Sequence, residues 1–110
     1  MIAKAIITNL LYLGGFIFIN DSRLSNSNIP ENGTVYIYKG PNQLFKVSTY
    51  ELEETSDWVF YEETTIDDGR LVLSLKLAVD FGVTSDASNI VIAEYGNNYF
   101  IIDAKLSRMR

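Results

Sequence analysis

Short runs of alternating or wholly apolar residues, cut every ten or so positions by glycine, asparagine, aspartate or proline, constrain this chain more than any other feature. Such punctuation suits short strands joined by tight turns and leaves little room for long helices. Residues 1–19 read as two apolar strands, about Ala3–Leu11 and Phe16–Asn20, on either side of Gly14-Gly15. A short helix capped by those glycines is the alternative for the first. Asn20–Gly33 is a run of polar turn formers and reads as a long exposed loop. Thr34–Lys39 and Gln43–Tyr50 alternate around Gly40-Pro41-Asn42 and predict a hairpin, with Tyr36 and Tyr38 on one face and Val35 and Ile37 on the other. A strand is expected at Asp57–Glu63, before a turn at Asp67-Asp68-Gly69. A last hairpin pairs Asn89–Tyr95 with Tyr99–Leu106 around Gly96-Asn97-Asn98, and puts Phe100, Ile102, Ala104 and Leu106 on one side.

Arg70–Gly82 needs arbitration between two periods. Leu71, Leu73, Leu75, Leu77, Val79 and Phe81 are all apolar, and Arg70, Ser74, Lys76 and Asp80 between them are polar. On a helix the odd residues would split over opposite faces, whereas a strand gathers them on one. The period predicts one long central strand, against the helical propensity of Leu, Lys and Ala. The whole reads as a single β-rich domain over residues 1–110. Its fold class is all-β, an antiparallel β-sandwich or small barrel of about seven to eight strands. An α+β arrangement with a helix at 70–82 is the alternative. A chain of this length buries roughly 65% of the surface its unfolded form exposes, enough for one core without staples.

The apolar opening stretch resembles a signal or membrane segment only at first sight. Thr8, Asn9 and Gly14-Gly15 interrupt it, no small-residue cleavage site follows, and it is shorter than the roughly 20 residues a spanning helix needs. No membrane partner is expected, and the virion or the host cytoplasm is the expected location.

The residue inventory narrows the chemistry. There is no cysteine and no histidine. Disulfide frameworks, thiolate metal sites and cysteine nucleophiles fall away, and so do the usual neutral-pH general base and ordinary zinc sites. The expectation is therefore a non-enzymatic protein with no cofactor and no metal. Asp67-Asp68-Gly69 is too short of oxygen ligands for a calcium loop, and no phosphate-binding glycine pattern is present. A sequence pI near 4.5 argues against direct nucleic-acid binding.

Charge is unevenly spread. Glu51–Asp68 holds eight carboxylates (Glu51, Glu53, Glu54, Asp57, Glu62, Glu63, Asp67 and Asp68) and neither Lys nor Arg, whereas the rest of the chain carries more bases than acids. The formal net charge of −5 thus comes from this one segment. Trp58, Phe60 and Tyr61 lie in its middle. Acidic groups around aromatics suit a contact surface, since the aromatics supply anchoring area and the charges steer the encounter. The candidate interaction residues are Glu51, Glu53, Glu54, Asp57, Trp58, Tyr61, Glu62 and Glu63. The plainer reading is an acidic hairpin whose aromatics face the core. A second candidate surface is the basic tail, Lys105, Arg108 and Arg110. The acidic segment of one copy against the tail of the next would give a head-to-tail contact, which builds rings or filaments.

Two functions from different classes follow. One is a structural or assembly protein that contacts other protein subunits, including copies of itself; a short, cysteine- and histidine-free chain rich in Tyr and Asn has the style of small phage virion components. The other is an acidic inhibitor of a host defence or nucleic-acid enzyme, with Glu51–Asp68 imitating phosphates. The inhibitor requires its carboxylates open on one face, not paired with Lys39, Lys46, Arg70 or Lys76. A carboxylate-pair hydrolase is a third class, which needs two converging acids in a cleft.

Overall fold

A computed structural model describes residues 2–13, 16–19, 29–81 and 89–108, with the backbone alone for 2–13, 16–19, 89 and 95. The strands are β1 (Ile2–Leu13), β2 (Phe16–Ile19), β3 (Gly33–Lys39), β4 (Leu44–Ser48), β5 (Val59–Asp67), β6 (Arg70–Leu73), β7 (Asn89–Gly96) and β8 (Tyr99–Asp103). Two short helices interrupt them, α1 (Leu75–Asp80) after β6 and α2 (Ala104–Arg108) after β8. The all-β expectation is met. Every described strand pairing is antiparallel, and the ladder runs β1-β2-β6-β5-β3-β4-β8-β7 and closes from β7 back to β1 as a barrel.

Local chemistry explains the turns. Asp68 and Gly69 both take positive φ (54° and 76°) between β5 and β6. That is the backbone a two-residue hairpin loop needs to match strand twist. The β3–β4 connection is a 3₁₀ turn at Pro41–Gln43, with Asn42 and Gln43 at positive φ. The predicted turn at Gly14-Gly15 and most of the Asn20–Gly33 loop lie outside the described residues. At the end of that loop Ile29 is buried, and Glu31 and Asn32 bond the β5–β6 turn through Gly69 N–H (2.8 Å) and Asp68 N–H (3.1 Å).

Alternation builds the interior. Val35 and Ile37 of β3, Phe45 and Val47 of β4, Leu71 and Leu73 of β6, Ile90 and Ile92 of β7, and Phe100 and Ile102 of β8 form one buried cluster. Each such side chain contributes about 1.5–3 kcal/mol when fully buried. Ile66 of β5 joins them, as do Leu77, Ala78 and Phe81 from α1 and the turn after it.

The long strand predicted over 70–82 is corrected. The strand stops at Leu73, and Ser74 caps a helix by accepting a bond from Leu77 N–H (3.1 Å). Seen as a helix, the buried positions are Leu77, Ala78 and Phe81, whereas Leu75 and Val79 are exposed. The alternation in the sequence therefore does not reflect one common face. Capping and the propensity of Leu-Lys-Leu-Ala outweighed the period.

A second correction falls at the end of the last hairpin. The strand predicted to Leu106 ends at Asp103, whose carboxylate accepts from Leu106 N–H (2.9 Å) and starts α2. Ser107 then fastens α2 to the wall, donating to Asp103 O (2.8 Å) and accepting from Val91 N–H (2.9 Å).

One junction of the ring is short. β5 and β6 pair only at Ile66↔Leu71 and Asp67↔Arg70. The chain leaves β6 for α1, so the first half of β5 meets side chains there instead of a ladder. Thr64 Oγ1 donates to Val72 O (2.8 Å), Tyr61 bonds Asp80, and Glu62 pairs with Lys76 at 3.5 Å.

Candidate functional site

The acidic segment folds back over the outside of the β3–β4–β5 wall, and specific bonds hold it there. Ser48 Oγ accepts from Tyr50 N–H (3.1 Å) and donates to Tyr50 O (2.8 Å), which bends the chain as it leaves β4. Thr49 N–H donates to Asn98 O (3.0 Å). Tyr38 is the rivet: its hydroxyl accepts from Leu52 N–H (2.7 Å) and donates to Leu52 O (3.2 Å). The ring points away from the interior yet is buried, because the returning segment covers it. Thr55 closes a turn, with its hydroxyl accepting from the Asp57 and Trp58 amides, before the chain enters β5. Glu54 then accepts from Phe60 N–H (3.0 Å).

Cross-strand registry sets what shows on the outside. Tyr36 is opposite Glu63, and Tyr38 is opposite Phe60. Tyr38 and Phe60 meet edge to face with centroids 5.7 Å apart. Between the wall and the returning segment lies a cleft of about 400 Å³, lined by Tyr36, Tyr38, Glu51, Leu52, Glu54, Phe60 and Glu63. Aromatic rings and carboxylates both line it. Phe60 also borders a neighbouring cleft that contains Asp57 and Val59. Leu52, Val59 and Phe60 are 40–49% exposed.

Seven of the segment's eight carboxylates fall into two groups, and Asp67, itself exposed, stands across the β5–β6 ladder from Arg70. Glu62 pairs with Lys76 and Asp68 with Arg70 at 3.9 Å. Among the described residues, Glu51, Glu53, Glu54, Asp57 and Glu63 have no Lys or Arg at ion-pairing distance, and all five are exposed.

The predicted aromatics take separate places, and only in part the core-facing ones of the plainer reading. Trp58 is half-buried outside the core cluster, its ring against Gly40, with Lys46 Nζ 4.6 Å from its centroid and 5.3 Å from that of Tyr99. Lys46 is thus held between two rings. Tyr61 sits at a bulge in β5, where Ile37 pairs with Glu62 but Tyr38 pairs with Phe60. The extra residue turns Tyr61 onto the core, against Phe45 at 5.5 Å. Its hydroxyl donates to Asp80, and Lys76 Nζ lies 4.4 Å from its ring. The bond to Asp80, then burial, raises the Tyr61 pKa above its ordinary value. Lys76 is raised as well, chiefly through its hydrogen bond with Tyr61. Tyr61 and Glu62 therefore fasten α1, and the open face consists of Glu51, Glu53, Glu54, Asp57 and Glu63.

The basic tail also divides. Lys105 is exposed. Arg108 donates to Gln43 Oε1, to Asp80 O (3.1 Å) and to Val79 O (3.4 Å), so it braces α1 and the β3–β4 turn. Arg110 lies outside the described residues.

Leu52, Tyr36 and Tyr38 complete the cleft but were not among the predicted site residues, and neither was Phe60. The aromatic face of Tyr36 and Tyr38 was legible as alternation. Its meeting with Glu51–Glu54 depends on the Tyr38–Leu52 bonds, which leave no trace in local pattern. Among the described residues no group of three or more Asp or Glu is placed to hold a metal ion, and no helix is long and apolar enough to cross a membrane. In comparisons with known protein families, with curated proteins and with solved structures, the chain matches none.

Proposed function

We propose that this protein is a non-enzymatic structural subunit that joins other protein subunits through its acidic and aromatic outer face, in the manner of a small phage virion component. The observation that carries the reading is the set of five open carboxylates around exposed Leu52, Val59 and Phe60 on a segment pinned to the barrel wall. A patch that combines apolar anchors with one sign of charge suits a protein partner of opposite charge. The pinning lowers the ordering cost of binding, because the segment is held before a partner arrives. Solution mass by light scattering, at low and high salt, is the test. The wild type is expected to form a larger species alone or with its co-assembling subunits, and Glu51→Lys/Glu63→Lys to lose it. Assembly indifferent to both salt and this charge reversal would sink the proposal.

A second reading, the acidic inhibitor of a nucleic-acid enzyme, draws on the same five open carboxylates, although Glu62 and Asp68, paired with Lys76 and Arg70, fall short of its requirement of carboxylates free of internal pairing. The two separate by competition. An inhibitor's capture of a host enzyme is displaced by duplex DNA, whereas contact between structural subunits is not.

A further inference from the structure

We propose that the cleft between β3, β5 and residues Glu51–Glu54 is a receptor for a cationic side chain, an arginine or lysine on an extended basic segment of the partner protein. The inference rests on the contact reading above and names what that face holds. Tyr36 and Phe60 offer ring surface in the cleft, buried Tyr38 backs them, and Glu51, Glu54 and Glu63 line it with exposed carboxylates. A cation over an aromatic ring is attracted by the ring's electron-rich face, and nearby carboxylates add a charge-assisted bond to the head group.

Charge complementarity decides the occupant. An anionic ligand would meet three carboxylates, and a purely apolar one would desolvate them without return. The opposite end of the same β3–β4–β5 surface already carries out the proposed chemistry within the chain. There Lys46 Nζ lies over Trp58 and Tyr99, at 4.6 and 5.3 Å from the ring centroids. Across the rungs Phe60, Tyr38 and Lys46 form one row, Phe60 opposite Tyr38 and Tyr38 opposite Lys46. The row therefore has a lysine in place at one end and open aromatic and carboxylate groups at the other. Glu54 has one role already, accepting from Phe60 N–H, which fixes its carboxylate beside the Phe60 backbone. Glu51 and Glu63 are the freer pair.

The test uses the full chain and short peptides: Gly-Arg-Gly-Arg-Gly, its lysine counterpart, and the neutral version with citrulline. The readouts are calorimetric affinity and the NMR shifts of the Tyr36, Tyr38 and Phe60 rings and the Leu52 methyls. The arginine or lysine peptide is expected to move these resonances and the citrulline peptide to leave them unmoved. Glu51→Gln/Glu63→Gln is expected to weaken binding about tenfold. Phe60→Leu, which keeps the bulk of an exposed side chain, should weaken it several-fold without loss of fold. Equal binding of arginine and citrulline peptides overturns the proposal, as does binding that leaves these resonances unmoved. Shifts that grow with protein concentration alone and vanish in Lys105→Glu would make a neighbouring copy the occupant, and overturn the partner segment. If no peptide binds while the charge-reversed face still abolishes assembly, the cleft proposal fails and the contact reading stands. If charge reversal leaves assembly intact, the contact reading itself has failed.

Discussion

Gly40 has no room for a methyl group. A Cβ there would stand 2.6 Å from the Trp58 ring, with two more ring atoms inside 3 Å. Gly40→Ala must therefore displace the ring, at about 1–3 kcal/mol by the usual cost of overpacking. Since Trp58 is the chain's one tryptophan, its emission should shift to the red as the ring leaves Gly40 and Lys46, alongside a lower urea midpoint. Unchanged emission would show that the ring does not rest there. Two phenols make a second residue-scale prediction. Tyr61 bonds Asp80 and Tyr99 bonds Glu94 (2.7 Å), and in each case the carboxylate, then burial, raises the phenol's pKa above 10.0. A group with a raised folded-state pKa contributes stability that is complete below its unfolded value and lost as pH climbs through the folded one. Wild-type protein should lose more stability as the pH rises above about 10 than Tyr61→Phe/Tyr99→Phe does, as read from urea midpoints. Parallel losses in the two proteins would count against these bonds.

At the scale of elements, Ser74 decides where β6 ends and α1 begins. Ser74→Ala should cost about 1 kcal/mol and Ser74→Gly much less, as read by chemical denaturation. An equal loss from both would mean that the cap is not the cause. Tyr38→Phe removes both bonds to Leu52 while it keeps the ring. We expect about 1 kcal/mol of destabilisation and faster hydrogen exchange at the Leu52 amide, with exchange in β3 itself little changed. These two residues also mark what could be read before the fold was known. Val35 and Ile37, Phe45 and Val47, and Phe100 and Ile102 announced their strands, because a wall with one buried face writes its period into the sequence. Leu75 and Val79 wrote the same period while exposed on a helix. Alternation alone could not distinguish them, and one serine hydroxyl did. The acidic face was legible as composition at Glu51, Glu53, Glu54, Asp57 and Glu63. Its partners across the cleft were not, since Tyr36 and Tyr38 precede it by more than a dozen residues and meet it only through a tertiary bond. Tyr61 followed the bulge in β5, a one-residue insertion that no local pattern announces.

For the molecule as a whole, charge and closure act together. Residues 51–68 carry eight carboxylates and no base, whereas the rest of the sequence is net basic, so the protein is electrically lopsided. Association through that side should slow and weaken as salt rises past the point where the Debye length falls below about 10 Å. A rate of complex formation that ignores salt would argue against it. Closure also bears on how the tail is tested. Because Ser107 and Arg108 brace β7 and α1, removing residues 107–110 would lower stability whatever the tail contacts. Lys105→Glu, at an exposed position, probes the surface without that cost. The short β5–β6 junction has a consequence of its own. A hoop opens at its shortest weld, and this one has two residue pairs, reinforced by a tyrosine, a threonine and one ion pair. Fluctuations that part it would swing α1 outward and leave the other seven welds whole. Such breathing exposes strand edge in β5 beside the acidic face, so the place where the ring is weakest adjoins the place where a partner would take hold.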